Sequence, residues 1–246
     1  MYRKLSDAHR FVAVLAGAFL FAPAAAALAQ APPTATPSPR GDAWWKQRHE
    51  TYLGEVKKAR EAKGVDLLFL GDSITEGWGG NDVWKKHYAP RKALNLGIGG
   101  DQTQHVLWRI QNGEIDGIKP KAVMLMIGTN NSASSSADEI AAGVEAIVAE
   151  LKTRLPESKI LVLGVFPRGQ KPDATRKKLQ DVNARISKLD DGKKVFYLDI
   201  GKSFLEKDDT ISKEIMPDYL HLSGKGYELW AEAVEPTLRK LLGEKP

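Results

Sequence analysis

A serine, a histidine and an aspartate stand where they could act together. Ser73 lies in Gly71-Asp72-Ser73-Ile74-Thr75, directly after the apolar run Val65-Asp66-Leu67-Leu68-Phe69-Leu70, and Asp218-Tyr219-Leu220-His221 lies near the other end of the chain. A serine hydroxyl is a poor nucleophile at neutral pH unless a base takes its proton as it attacks. His221 supplies a base. With two residues between them, the Asp218 carboxylate can fold back on the imidazole, fix its tautomer and stabilise the imidazolium formed during proton transfer. The chemistry within reach of such a set is hydrolysis of a carboxylic ester through an acyl-enzyme. His49, His87 and His105 have no acidic residue so well placed.

Ester hydrolysis also needs donors aimed at the oxyanion of the tetrahedral intermediate. Asn95-Leu96-Gly97-Ile98-Gly99-Gly100-Asp101 follows a second apolar run, and Gly100, just before a helix start at Asp101, is the expected backbone donor. Gly128-Thr129-Asn130-Asn131 follows a third run and offers the Asn130 amide, with the Ser73 N–H as a further donor. Each piece alone has a plainer reading: a serine after a strand as a helix cap, Asp-x-x-His as a surface pair, the glycines as a tight turn. Their joint presence carries the argument. A dinucleotide fingerprint is excluded, because Gly97-Ile98-Gly99-Gly100-Asp101-Gln102 lacks its last glycine. Trp78 and Trp84 near the nucleophile loop, and Leu220 beside His221, are candidates for substrate contact, with packing as the alternative for the aromatics. Arg168, after the fourth apolar run, could face the same cleft or bond a neighbouring loop, and the structural role is the favoured one. No two histidines have ligand spacing and there is no cysteine, so neither a metal nor a cofactor is expected.

The elements that must position these residues alternate. Apolar runs at Val65–Leu70, Ala93–Leu96, Ala122–Ile127, Ile160–Val165 and Val195–Leu198 read as strands buried on both faces. Between them lie helical periods. Ser136-Ala137-Asp138-Glu139 has the form of a capping box before a stripe of Ile140, Val144, Ile147, Val148 and Leu151, and that helix should end before Pro156. Asp173 should cap a helix burying Leu179, Val182, Ile186 and Leu189. Ser223 should cap the last, which buries Tyr227, Trp230, Val234, Leu238 and Leu241 and carries a kink at Pro236. A further helix over 42–62, with Trp45, Tyr52 and Val56 as anchors, should cover the sheet. Five strands with helical crossovers predict a three-layer α/β/α sandwich around a parallel sheet.

The chain has 246 residues, and its first part reads as a targeting segment. Arg3, Lys4 and Arg10 precede the apolar stretch 11–28, and Ala27-Leu28-Ala29 has the form of a signal-peptidase site, so residues 1–29 are expected to be a secretory signal rather than a retained anchor. Residues 30–41, rich in Pro, Ala, Thr and Ser, read as an extended linker, and 42–246 as the folded domain. An exported chain without cysteine has no disulfides and must be held by packing. Its formal charge of +5, about +3 without the segment, is spread among acidic residues, which speaks against nucleic-acid binding.

Taken as a set, these residues resemble the SGNH hydrolases, or GDSL-type esterases. The blocks of that family match Gly71-Asp72-Ser73-Ile74-Thr75, Gly100, Gly128-Thr129-Asn130 and Asp218-Tyr219-Leu220-His221, in order. Within the family, Asn95-Leu96-Gly97-Ile98-Gly99-Gly100-Asp101-Gln102-Thr103 with His105-Val106-Leu107-Trp108-Arg109, Gly128-Thr129-Asn130-Asn131, Pro167-Arg168-Gly169 and Asp218-Tyr219-Leu220-His221-Leu222 are similar to the type Ib platelet-activating factor acetylhydrolase branch. The resemblance implies a flavodoxin-like sheet, Ser73 as nucleophile, His221 as base, Asp218 as its partner, and Ser73, Gly100 and Asn130 as oxyanion donors. It also implies an acetylated lipid or sugar as substrate and a homodimer. That branch lacks an export signal, and Thr75-Glu76-Gly77-Trp78-Gly79 is closer to secreted bacterial esterases, so release into the periplasm or medium, with no membrane span after cleavage, is expected. Carbohydrate O-deacetylase, lysophospholipase or thioesterase activity is the alternative within the family, and a non-catalytic carbohydrate-binding protein the alternative outside it.

Overall fold

The computed structural model describes residues 1, 30–62 and 64–245. Apart from Met1, the expected signal segment lies outside the described residues. The strands β1 (Leu67–Gly71), β2 (Ala93–Gly97), β3 (Ala122–Met126), β4 (Lys159–Leu163) and β5 (Val195–Leu198) form one sheet in the order β2-β1-β3-β4-β5, with every pairing parallel. This is the doubly wound order expected from the alternation of strands and helices. All residues of β1 and β3 are buried, which is why those runs show no polar alternation in the sequence.

Helices cover both faces. Leu68 and Leu70 of β1 join a core with α1 (Ala43–Glu61), α4 (Thr103–Gln111), α5 (Ala137–Arg154) and α6 (Ala174–Ile186). Leu67 and Phe69 point the other way, into a core with the short helices α2 (Ser73–Glu76) and α3 (Asp82–His87) and with α7 (Gly224–Leu242). The capping box at Ser136 and Glu139 is formed in both directions, and Asp42, Asp173 and Ser223 each accept a hydrogen bond from the first turn of their helices. The last helix continues through Pro236, and Leu242 is buried in the core whereas Leu241 is only partly covered. Helix α4 begins at Thr103, two residues after the expected start, because the Asp101 side chain turns inward instead of capping.

The Pro-rich stretch expected to be an extended linker is docked on the domain. Pro33–Ala35 forms a turn of 3-10 helix, and Thr34 is buried between α4 and α5, where Thr103 Oγ1 donates to the Thr34 carbonyl at 2.8 Å. Ser38 N donates to the Gln104 carbonyl at 3.2 Å. The notch that receives Thr34 exists because Gly143 of α5 has no side chain. A Cβ there would lie 2.6 Å from the Thr34 carbonyl oxygen. Composition signalled a loop correctly, but whether a loop is seated depends on a partner surface that lies a hundred residues away in sequence. Gly143→Ala should therefore destabilise by about 1–3 kcal/mol through overpacking, against the roughly 1 kcal/mol it gains in helix propensity. Urea unfolding measures the loss, and proteolytic cleavage within 31–40 should accelerate in the variant.

Candidate active site

Ser73 stands at the point where the chain order across the sheet reverses. β1 is flanked by β2 on one side and β3 on the other, so the loops leaving its carboxyl end diverge and open a crevice. Gly71 closes the strand, Asp72 Oδ1 accepts from Ile74 N at 3.0 Å to cap α2, and Ser73 is the first residue of that helix. Tyr227 of α7 donates to the Ile74 carbonyl at 2.7 Å and ties this turn to the C-terminal helix.

The loop before α7 brings His221 to the serine, with Ser73 Oγ 2.9 Å from His221 Nε2. On the far side of the ring, His221 Nδ1 lies 2.6 Å from Asp218 Oδ2. A carboxylate facing Nδ1 requires that nitrogen to carry the proton, which leaves the Nε2 lone pair for the serine hydroxyl. Asp218 Oδ1 also accepts the Leu220 and His221 amides at 3.0 and 2.8 Å. Partial burial works to raise the Asp218 carboxyl, but the His221 ring and these two amides outweigh it and hold the group down at about 2. Tyr219, between them, has φ +61°, a left-handed conformation that a tyrosine adopts only under constraint. The Gly169 N–H to the Tyr219 carbonyl, at 2.9 Å, helps hold it.

The expected oxyanion donors converge on the same edge. Gly100 has φ +76°, a backbone suited to glycine, and its N–H meets no acceptor among the described residues. Asn130 Nδ2 donates to the Asp101 carbonyl at 2.8 Å, which orients the amide while leaving its second hydrogen available. The next residue, Asn131, accepts from Thr103 N at 3.1 Å and so joins the loop after β3 to the start of α4. By contrast the Gly99 N–H is committed to Glu76 Oε2 at 2.8 Å. Arg40, from the docked N-terminal stretch, donates to the Gly99 carbonyl at 2.6 Å and pairs with Asp42 at 3.0 Å.

Beneath this edge lies a network of buried polar and ionisable side chains that sequence reasoning missed. Arg109 is fully buried, donates to Asp101 Oδ2 at 2.8 Å and contacts Glu114 on its other side. Trp45 Nε1 donates to Asp101 Oδ1 at 2.6 Å, and His49 Nδ1 lies 2.8 Å from Glu114 Oε1. Burial would drive the guanidinium to lose its proton, but Glu114 and Asp101 hold it charged and raise its pKa. The available signal was an arginine set beside the apolar stripe of Val106, Leu107 and Ile110. His105 accepts from Gln102 N at 3.0 Å. Its pKa is lowered to about 4 by burial, Arg40 and Arg109, so it stays neutral and acts as a helix cap.

One expectation is corrected. Trp78 is fully buried among Phe69, Tyr88, Tyr227 and Trp230, with ring centroids 6.3, 5.0, 4.5 and 5.1 Å away, so it is core and does not face a ligand. Trp84 leans on Phe69 at 5.0 Å and is half-buried at the rim of a groove beside β2. Leu220 is half-buried next to His221, and Arg168 donates to the Thr129 carbonyl at 3.3 Å in the structural role read from its position.

A parallel sheet in this order, with serine, imidazole and carboxylate in line at its carboxyl edge, has the architecture of an α/β serine hydrolase. Residues 69–229 match the GDSL-like lipase/acylhydrolase family. The alpha2 subunit of platelet-activating factor acetylhydrolase IB from Rattus norvegicus is 41% identical over 215 residues, covering 87% of this chain and 92% of that one. The alpha1 subunit from Homo sapiens is 38% identical over 213 residues, covering 86% and 90%. Among solved structures, a GDSL-like lipase from Bacteroides thetaiotaomicron superposes with TM-score 0.66 at 20% identity, over 78% of this chain and 97% of that one. An acetylxylan esterase from Geobacillus stearothermophilus gives TM-score 0.57 at 21% identity, over 74% and 96%. The chain belongs to the GDSL-like lipase/acylhydrolase family and is a carboxylic ester hydrolase.

Arg109→Met should strand Asp101 and Glu114 as buried carboxylates without their cation, a loss of about 3–5 kcal/mol measurable by urea unfolding. The Asp72 carboxyl sets a pH dependence. Burial above all, with the neighbouring Asp101 charge adding to it and the Ile74 amide pulling the other way, raises it from 3.8 to about 7. The folded chain therefore keeps a proton that the unfolded chain releases near its ordinary pKa, so stability should fall as pH rises across that interval. In Asp72→Asn the fall, followed by urea unfolding at successive pH values, should be shallower.

Proposed function

We propose that Ser73, His221 and Asp218 are the catalytic triad of a hydrolase for short-chain, chiefly acetyl, carboxylic esters. Ser73 Oγ attacks the ester carbonyl carbon while His221 Nε2 takes its proton, and the carbonyl electrons move onto an oxyanion received by the Ser73, Gly100 and Asn130 donors. The ester C–O bond then breaks and the leaving alcohol receives the proton back from His221. A water molecule, deprotonated in turn by His221, releases the acid and restores the serine. Asp218 holds the ring in the required tautomer throughout.

The observation that carries this reading is the unbroken relay from Ser73 through His221 to Asp218, at 2.9 and 2.6 Å. The preference for acetyl is supported by the names of its relatives, which include acetylhydrolase subunits, and of a structural neighbour, an acetylxylan esterase. Export to the periplasm or medium is proposed from the basic start, apolar stretch and Ala27-Leu28-Ala29 of the sequence, leaving the hydrolase domain 42–246 with the 31–41 stretch docked on it. Sequencing the N-terminus of the secreted protein checks the cleavage, and sedimentation checks the homodimer proposed from the family resemblance. Ser73→Ala should retain the wild-type unfolding midpoint and lose hydrolysis of an activated acetyl ester, together with labelling by a serine-reactive organophosphate. Turnover persisting at the wild-type rate would remove Ser73 from the mechanism.

A further inference from the structure

Trp44 is 49% exposed and, Met1 apart, is the only large hydrophobic side chain so exposed among the described residues. It sits beside the reacting serine. The position a Cβ would take on Gly99 is 3.7 Å from Ser73 Cβ and 3.8 Å from Trp44 Cη2, so nucleophile and indole edge flank the same small space. Its neighbour in sequence, Trp45, is buried and bonded to Asp101, which pins the first turn of α1 and with it the backbone that carries Trp44.

The charges around the indole restrict what it can receive. The Arg40 and Arg48 guanidinium carbons lie 5.9 and 6.0 Å from the Trp44 ring centroid. Both cations already have partners, Arg40 with Asp42 at 3.0 Å and Arg48 with Glu76 at 2.6 Å. A phosphate would find neither cation unpaired, and a quaternary ammonium would meet two like charges at the ring it would otherwise favour. A neutral ligand with an apolar face and a polar rim meets no such opposition. It can lay its C–H face on the exposed part of the indole that the two guanidinium groups leave uncovered, and direct its hydroxyls to the remaining lone pairs of the Asp42 and Glu76 carboxylates. There is also room for length, since an open groove of about 530 Å³ beside β2 begins at the same Arg48 and Glu76 and runs along Tyr52, Trp84 and Asn95.

We infer that Trp44 is the stacking platform of a leaving-group subsite for carbohydrate, so that the alcohol part of the ester is a sugar of an O-acetylated oligosaccharide extending into the β2 groove. This rests on the reading of Ser73 as the nucleophile of an ester hydrolase. The reaction is the one already written, with a sugar hydroxyl as the leaving alcohol that takes its proton from His221.

The test compares the full chain and its Trp44→Ala and Trp44→Phe variants on three esters: O-acetylated cellotetraose, phenyl acetate and a 1-alkyl-2-acetyl-glycerophosphocholine. In Trp44→Ala the ratio of kcat/KM for the acetylated tetrasaccharide to that for phenyl acetate should fall about tenfold, mainly through KM, as expected for loss of one aromatic contact. Trp44→Phe should restore most of it. In the Ser73→Ala background, unacetylated cellotetraose should shift the tryptophan fluorescence, and Trp44→Ala should abolish the shift. An unchanged ratio with phenyl acetate still cleaved would overturn the subsite, as would a Trp44 dependence confined to the acetylated phospholipid. Inactivity of the wild-type chain on all three esters would instead overturn the ester-hydrolase reading itself.

Discussion

Arg109 carries a charge where there is no water, and the carboxyl edge of the sheet is organised around that fact. Removing a guanidinium from solvent is tolerable only when anions and carbonyls replace its hydration. Here Asp101 lies on one side and Glu114 on the other, with Trp45 and His49 completing the carboxylates' partners. Because Asp101 directly follows Gly100, the ion pair that satisfies Arg109 also fixes the loop that carries the Gly100 N–H. Its carbonyl in turn orients Asn130, so one buried interaction sets the positions of two donors contributed by different strand ends.

The edge is accordingly buried around Asp101 and Arg109 and more open around His221 and Asp218. Asp101 and Arg109 are fully buried, whereas the His221 and Asp218 side chains are 46% and 55% exposed. An exposed carboxylate can still hold an imidazole when it is itself held, and the Leu220 and His221 amides on Asp218 do this within a single turn. The N-terminal stretch contributes from the other side. Through Thr34 it is anchored between α4 and α5, and through Arg40 it reaches the Gly99 carbonyl, so residues with the composition of a linker brace the loop after β2.

Much of this was legible in sequence wherever the physics is local. The runs around Leu68, Val123 and Leu161 could only be strands buried on both faces, and the caps at Ser136, Asp173 and Ser223 depend on residues within one turn of each other. The candidate triad was legible for a related reason, since Asp218 and His221 share a loop and Ser73 follows the first strand. The errors fall where a neighbour distant in sequence decides. Trp78 near Ser73 suggested ligand contact, but Tyr227 and Trp230 of the last helix close over it and make it core. Arg109 had the spacing of an inward-facing position and the chemistry of an outward-facing one, and only Glu114 and Asp101 resolve the conflict.

What the sequence by itself determined is the set of elements, their alternation and the residue types delivered to the ends of β1, β2 and β3, because periodicity, capping and crossover handedness act over short stretches and leave few topologies open. Only the tertiary structure decided which side chains face one another across the crevice. The 2.9 Å from Ser73 to His221, the seat of Thr34 against Gly143 and the place of Trp44 beside Ser73 each join segments separated by tens of residues or more. Such contacts depend on how the layers pack together, and no local propensity encodes that.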